Sequence, residues 1–354
     1  MLRASGRYED FELAETIFTA TLHDIGAYKV EQGVDSLKYE FEHPMAHSIY
    51  GYLFMKNLTP YELHSKIILY SHVDYKNLLN VNYEYKNIAN MLNLAGMIDH
   101  FRIVKGKRFS PNDLRRHIGT KFSEESFNLL DIATRKYDMF DMLDSGEYLD
   151  ELYGALSEVM FSDEDKHKML ELPIYVMSFT ENKRAVEAIL CMDIAEQIAK
   201  RLDKVSELDV AKLHYAGLLH DVGMSAVPKE LRNSNIDELE EESDIRKYCR
   251  HLEAADDLLR DKINSEVCDI IYRHHERIDG KGYPENLSNG SIPLAAKIVA
   301  IADAFHALVS DRPYRKGLSV GKACEILKMG AGVQWDKDLV RQFIIIAPSL
   351  ATNV

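Results

Sequence analysis

Cysteine is scarce. Cys191, Cys249, Cys268 and Cys324 are the only four in 354 residues, and no two share the C-x-x-C spacing. That excludes a zinc knuckle and a redox pair, and the thiols read as reduced groups of a cytosol. Basic charge is also short: 43 Lys and Arg face 57 Asp and Glu, a net charge of −14. Such a balance argues against a grip on polymeric nucleic acid, yet a local Arg cluster can still hold a small anion. No apolar run approaches the ~18 residues of a membrane span, and the N-terminus turns acidic before any apolar stretch begins. A cytoplasmic chain with no membrane segment is expected. Residues 112–172 lack proline altogether and have few glycines, so this acidic stretch reads as connecting helices rather than a flexible linker.

What is present is ordinary for a globular protein: 46% apolar and 28% charged residues. The length suits two domains of ~100–200 residues each. Helical periodicity dominates. Leu213, Ala216 or Gly217, and His220 fall at i, i+3/i+4 and i+7, which predicts a helix over 208–220 with a histidine on its buried stripe. From Ser291 the pattern repeats, with Pro293 in the first turn and Ile298, Ile301, Ala302, Phe305 and Leu308 on one side. Strand signals are weak, and the predicted class is all-α.

The densest chemistry lies between His220 and Arg315: His220-Asp221, His251, His274-His275 with Glu276, and Asp303 in Ile-Ala-Asp-Ala-Phe. Helices converging in a bundle core can build a two-metal site from such donors, and four His with two Asp suffice for two ions if one Asp bridges. Any single histidine is more often a packing residue than a ligand. The adjacent pairs weaken that reading, because one member of each must break the apolar stripe.

These residues carry a family resemblance. His220-Asp221-Val-Gly resembles the HD signature of metal-dependent phosphohydrolases, and His274-His275-Glu276-Arg277-Ile-Asp279-Gly280-Lys-Gly282-Tyr283-Pro284 resembles that of the HD-GYP subfamily. The similarity runs on through Ile292-Pro293 to Asp303, through Ser310-Asp311-Arg312-Pro313-Tyr314-Arg315, and ends near Gly332-Val-Gln-Trp-Asp336, covering roughly 175–345. It implies hydrolysis of cyclic di-GMP, or a related cyclic dinucleotide, to pGpG or GMP at a non-haem centre of two ions, iron first and manganese as the alternative. Asp221 would bridge, with His220 and Asp303 on one ion and His251, His274 and His275 on the other. Tyr283, Arg312 and Arg315 would face the nucleotide, Asp221 and the two arginines being the catalytic candidates.

Two positions depart from the family. Met224 stands where H-D-x-G-K has lysine, so turnover is expected to be slow and Met224→Lys to raise it. Upstream, Phe179-Thr180-Glu181-Asn182-Lys183-Arg184 has no histidine where the family has F-T-x-x-H-S. Lys183 would then add a cation near the metals, and Glu181 or Glu187 could substitute as an oxygen ligand. A catalytically silent receptor for the same nucleotide, or a protein-interaction module working through the G-Y-P region, is therefore the competing function. An HD hydrolase for another phosphoester is disfavoured by the complete G-Y-P and D-R-P-Y-R tracts.

The first half looks like a decayed copy. Leu-His23-Asp24-Ile-Gly26 resembles Leu-His220-Asp221-Val-Gly223, His43-Pro44 takes the place of His251, and Ser71-His72-Val73 that of Arg273-His274-His275. Leu94-Ala95-Gly96 matches Ile301-Ala302-Asp303, and Gly119-Thr120-Lys121-Phe122 matches the late G-T-Q-F of the family. Two HD-type helical bundles in tandem are expected, with residues 1–165 degenerate and 166–354 the HD-GYP domain. With Val73 and Gly96 in ligand positions, the first is expected to be metal-free, a single regulatory ion being the other reading. It is cast as a regulatory or interaction module for a protein partner, and a homodimer is allowed.

Overall fold

The computed structural model describes residues 1–30, 44–105, 110–157, 159, 161–180, 182–203, 205–234, 236–312 and 315–350. Among them every extended element is a helix, and β pairing is limited to isolated bridges. The principal helices of the first half are α1 (Asp10–Thr21), α2 (Pro44–Leu58), α3 (Ser65–Leu69), α4 (Lys86–Lys105) and α5 (Glu124–Tyr137). Then come α6 (Asp163–Thr180), α7 (Asn182–Ala199), α8 (Glu207–Leu219), α9 (Glu242–Leu259), α10 (Ser265–Tyr272), α11 (Leu294–Val309), α12 (Val320–Gly330) and α13 (Lys337–Leu350). Two compact units result, Met1–Leu172 and Pro173–Val354. The junction lies at Pro173 inside α6, which also contains the 165/166 boundary read from the sequence. No helix among the described residues is long and apolar enough to cross a membrane.

In the second unit α11 is buried nearly all round, through Ala296, Ile298, Val299, Ile301, Ala302 and Phe305, which is the signature of a central helix. Phe305 meets Phe343 of α13 with ring centroids 4.8 Å apart, and Ile194, Ile198, Leu219 and Leu327 complete the same core. Asp303 is thereby carried into the middle of the bundle on a rigid rod. The start of α8 is set by a capping box: Asp209 N–H donates to Ser206 Oγ, and Ser206 N–H donates to the Asp209 carboxylate. The helix ends at Leu219, and His220-Asp221 leads into a 3₁₀ turn over Val222–Ala226.

The first unit spreads its core over smaller clusters, one around Leu94, Ile98, Leu114, Phe122 and Leu130 and another around Ala14, Met55 and Ile68. Two of its backbone details recur in the second unit. A Cβ placed on Gly26 would lie 2.0 Å from the His47 carbonyl oxygen, and one on Gly223 would lie 2.0 Å from that of His251. Only glycine permits so close an approach of the turn to the following helix. Likewise Gly119 N–H donates to Phe122 O at 2.8 Å and Gly332 N–H to Trp335 O at 2.7 Å, with φ of 79° and 83°. The counterpart of His251 is therefore His47 rather than His43, which lies outside the described residues.

Candidate metal centre

Three histidines of the second unit are oriented by one device. His220 Nδ1 donates to Gly217 O (2.8 Å), His251 Nδ1 to Tyr248 O (2.7 Å) and His274 Nδ1 to Ile271 O (2.6 Å), in each case the carbonyl three residues earlier. A carbonyl can only accept, so each Nδ1 carries a proton. In His251 and His274, whose pKa values burial lowers, the Nε2 lone pair is bare, the tautomer a metal ligand needs. For His220, burial is outweighed by Cys191, Asp221 and Asp303, which raise its pKa well above the usual value and favour the protonated ring. The Nε2 atoms of His251 and His274 are buried and have no hydrogen-bond partner. His275 stacks on Tyr283 with centroids 4.6 Å apart. His251, His274 and His275 each offer a nitrogen, and the three atoms lie within 4.8 Å of one another. Burial, reinforced by the neighbouring imidazoles His220 and His251, pushes the His274 pKa down to about 3, and burial lowers those of His251 and His275 as well. All three are neutral donors at pH 7, and together they fit one divalent transition-metal ion.

The remaining candidates sit beside this trio. His220 Nε2 lies 3.8 Å from Asp303 Oδ1, and His275 Nδ1 3.9 Å from Asp303 Oδ2. Asp221 is engaged differently: its Oδ2 accepts a hydrogen bond of 2.9 Å from Arg184 Nη1. Burial opposes ionisation of Asp221, but His220 and Arg184 outweigh it and hold the carboxyl well below the usual range. Arg184 is only 6% exposed and also donates to the Arg232 carbonyl. Sequence reasoning missed it and pointed to Lys183, whose side chain is exposed. The signal was available, because Arg184, Ala188, Cys191 and Ala195 stand at i, i+4, i+7 and i+11, so the arginine heads a buried stripe of α7.

Glu187 is buried on the same helix, 3.5 Å from Arg312 and 3.8 Å from His306, and it is not one of the clustered ligands. Glu181 lies outside the described residues. Met224 does not line the site. It is 2% exposed and packs with Val227 and Leu231 against Leu239 and Tyr248, because the 3₁₀ turn directs this apolar thioether inward.

The G-Y-P segment is held by Glu276, whose carboxylate accepts from Glu285 N–H (2.6 Å) and Leu287 N–H (2.8 Å). Above the histidines opens a cleft of about 560 Å³. Asp221, Asp303, His274 and His275 line it, together with the cations Arg184, Arg232, Arg277, Lys281, Arg312 and Arg315 and the rings Tyr248, Tyr283 and Trp335. Arg315 spends much of its guanidinium on backbone, donating to Leu308 O at 2.9 Å and Ala307 O at 2.5 Å.

The HD-domain family model matches residues 171–339. The chain is thus similar to HD domains over its second half, and its G-Y-P tract resembles that of the HD-GYP type. It is 32% identical to a cyclic di-GMP phosphodiesterase of Pseudomonas aeruginosa over 51% of this chain and 45% of that protein. A 3'3'-cGAMP-specific phosphodiesterase of Vibrio cholerae is 26% identical over 80% of this chain and 69% of its own. A cyclic di-GMP phosphodiesterase response regulator of Xanthomonas campestris is 36% identical over 40% and 38%. The chain thus spans less than half the length of the first and third of these relatives. A solved cyclic GMP-AMP-specific phosphodiesterase of V. cholerae superposes with a TM-score of 0.60 at 16% identity, over 98% of this chain and 89% of that one, a likeness of fold.

Proposed function

We propose that the HD-GYP unit hydrolyses a phosphodiester of a cyclic dinucleotide, c-di-GMP or a mixed guanine–adenine molecule, to a linear dinucleotide or mononucleotides. The observation that carries this reading is the pair of partnerless buried Nε2 atoms, of His251 and His274, with His274 and His275 lining a cleft rich in cations and rings. The named activities of the relatives support it. His251, His274 and His275 would hold a metal ion, iron or manganese suiting nitrogen and oxygen donors. When bound, that ion supplies Lewis acidity toward a phosphoryl oxygen and toward water. A second ion on His220 and Asp303, as the resemblance implies, requires Asp221 to exchange Arg184 for metal.

The chain's own groups do the rest. Arg312, whose ion-pair partner among the described residues is Glu187 at 3.5 Å, can turn its fork to a phosphate. Tyr248, Tyr283 and Trp335 offer ring faces to bases. Arg184 and ionised Asp221 set the charge beneath the phosphate.

The competing reading, a silent receptor, is favoured by one observation: a guanidinium already occupies Asp221. A single Mn²⁺- or Fe²⁺-loaded preparation decides, with c-di-GMP affinity and product formation measured side by side. Product supports the phosphodiesterase and binding without product the receptor. Neither binding nor product defeats both.

A further inference from the structure

The first unit contains a second cluster of metal-binding side chains, built from residues of that unit alone. Asp24, His47 and His72 each place a donor atom within 4.8 Å of the others. His47, on α2, is fully buried. Its Nε2 lies 2.8 Å from His72 Nε2 and 3.7 Å from Asp24 Oδ1. His23 Nε2 stands 3.0 Å from Asp24 Oδ2. We propose that this unit binds one divalent first-row transition-metal ion through Asp24, His47 and His72, with His23 beside it.

Three observations support the assignment. Donor atoms about 2.0–2.2 Å from a common ion stand roughly 3–4 Å from each other, which matches the separations here. Next, the backbone that presents these residues is that of the second unit's site. Gly26 approaches the His47 carbonyl as Gly223 approaches that of His251, and His23 Nδ1 meets Ala20 O at 2.8 Å as His220 Nδ1 meets Gly217 O at 2.8 Å. Last, Asp24 Oδ1 is buried without a hydrogen-bond partner. A hydrogen bond between the two imidazoles pairs their Nε2 atoms but leaves that carboxylate oxygen, like His47 Nδ1, unanswered, whereas a cation among the three engages the oxygen as well as the imidazoles. Two imidazoles and one carboxylate with open positions suit Fe²⁺, Zn²⁺, Co²⁺ or Mn²⁺ rather than Mg²⁺ or Ca²⁺, which favour all-oxygen sites. The ion would tie together the end of α1, the α2 helix and the turn after α3.

The test uses the full chain and Co²⁺ as the probe. In a chain with its second-unit donors removed (Asp221→Ala, His251→Ala, His274→Ala, His275→Ala), elemental analysis after desalting is expected to find about one cobalt per chain, with visible d–d absorption. Adding Asp24→Asn and His72→Asn should abolish both signals while far-UV circular dichroism is preserved. In the otherwise unaltered chain, His47→Gln should remove one equivalent. The proposal is overturned if the chain lacking second-unit donors retains no cobalt, or if folded first-unit variants bind as much as their parents. The first arm leaves this unit's residues untouched, so it decides even where first-unit variants fail to fold.

Discussion

Arg184 Nη1 lies 2.9 Å from Asp221 Oδ2, so the carboxylate that the sequence marks as a metal bridge is neutralised by a side chain of its own unit. Both groups are largely buried, at 7% and 19% side-chain exposure. Removing one partner of such a pair costs about 3–5 kcal/mol, because the other charge is left uncompensated. Arg184→Gln should therefore destabilise the metal-free chain by that order in urea unfolding with EDTA present. Mn²⁺ should recover much of the loss, and metal content should rise. Equal metal-free stability of variant and parent would show that the pair carries no weight.

Glycine contacts make the sharpest steric forecast. Alanine at Gly223 or Gly26 forces a Cβ to 2.0 Å from a backbone oxygen, and either change should cost about 3 kcal/mol or more. Gly96, within α4, would have no atom within 4 Å of an added Cβ, so Gly96→Ala should gain about 0.5–1 kcal/mol from helix propensity and a stiffer unfolded chain. Denaturant midpoints of the three variants measure both signs.

The two arginines after Asp303 should separate by function. Arg315 holds the carbonyls of Ala307 and Leu308, so Arg315→Lys, which lacks the fork, should lower the melting temperature. Arg312→Lys keeps a cation beside Glu187, yet it should lose about tenfold in c-di-GMP affinity, because a bidentate phosphate contact becomes a point charge. Calorimetric titration and thermal melts of both variants check the pattern, and equal effects on binding and melting would contradict it.

Acid should loosen the second unit through His306. Burial, with Arg312 adding to it, pushes its pKa down to about 3, against ~6.5 in an unfolded chain. Between those values the unfolded state binds more protons. This contribution is therefore complete above pH ~6.5 and is lost as pH falls toward 3, at about 1.4 kcal/mol per pH unit. Glu187 beside it works oppositely, since burial raises its pKa. The difference between parent and His306→Asn isolates the histidine, and parallel stability–pH curves in EDTA would refute this assignment.

The all-α class and the histidines that cluster in the second unit were legible because each leaves a local mark: His274-His275 breaks an apolar stripe, and Pro293 heads the helix that carries Asp303. His47 was not, since its role depends on which residue of α2 the Gly26 turn touches, a contact across the chain that the His43-Pro44 similarity obscured. Met224 misled for a related reason. A position in a motif names a residue, but the path of the 3₁₀ turn decides whether its side chain meets the cleft or packs on Tyr248. Arg184 was passed over because a charge on a buried stripe was not sought outside the motif.

The open space beside Gly96 bears on whether the first unit could be given the second unit's set of donors. The two units share the course of the backbone at the Gly26 and Gly223 turns and at the Gly119-to-Phe122 and Gly332-to-Trp335 turns, and differ there in their side chains. An aspartate at 96 would meet no atom within 4 Å of its first carbon, and Val73 directly follows His72 as His275 follows His274. Two exchanges, Val73→His and Gly96→Asp, would supply the residue types found at the corresponding positions of the second unit. The first unit is thus a scaffold onto which a second reactive centre could be grafted with the polypeptide's route unchanged.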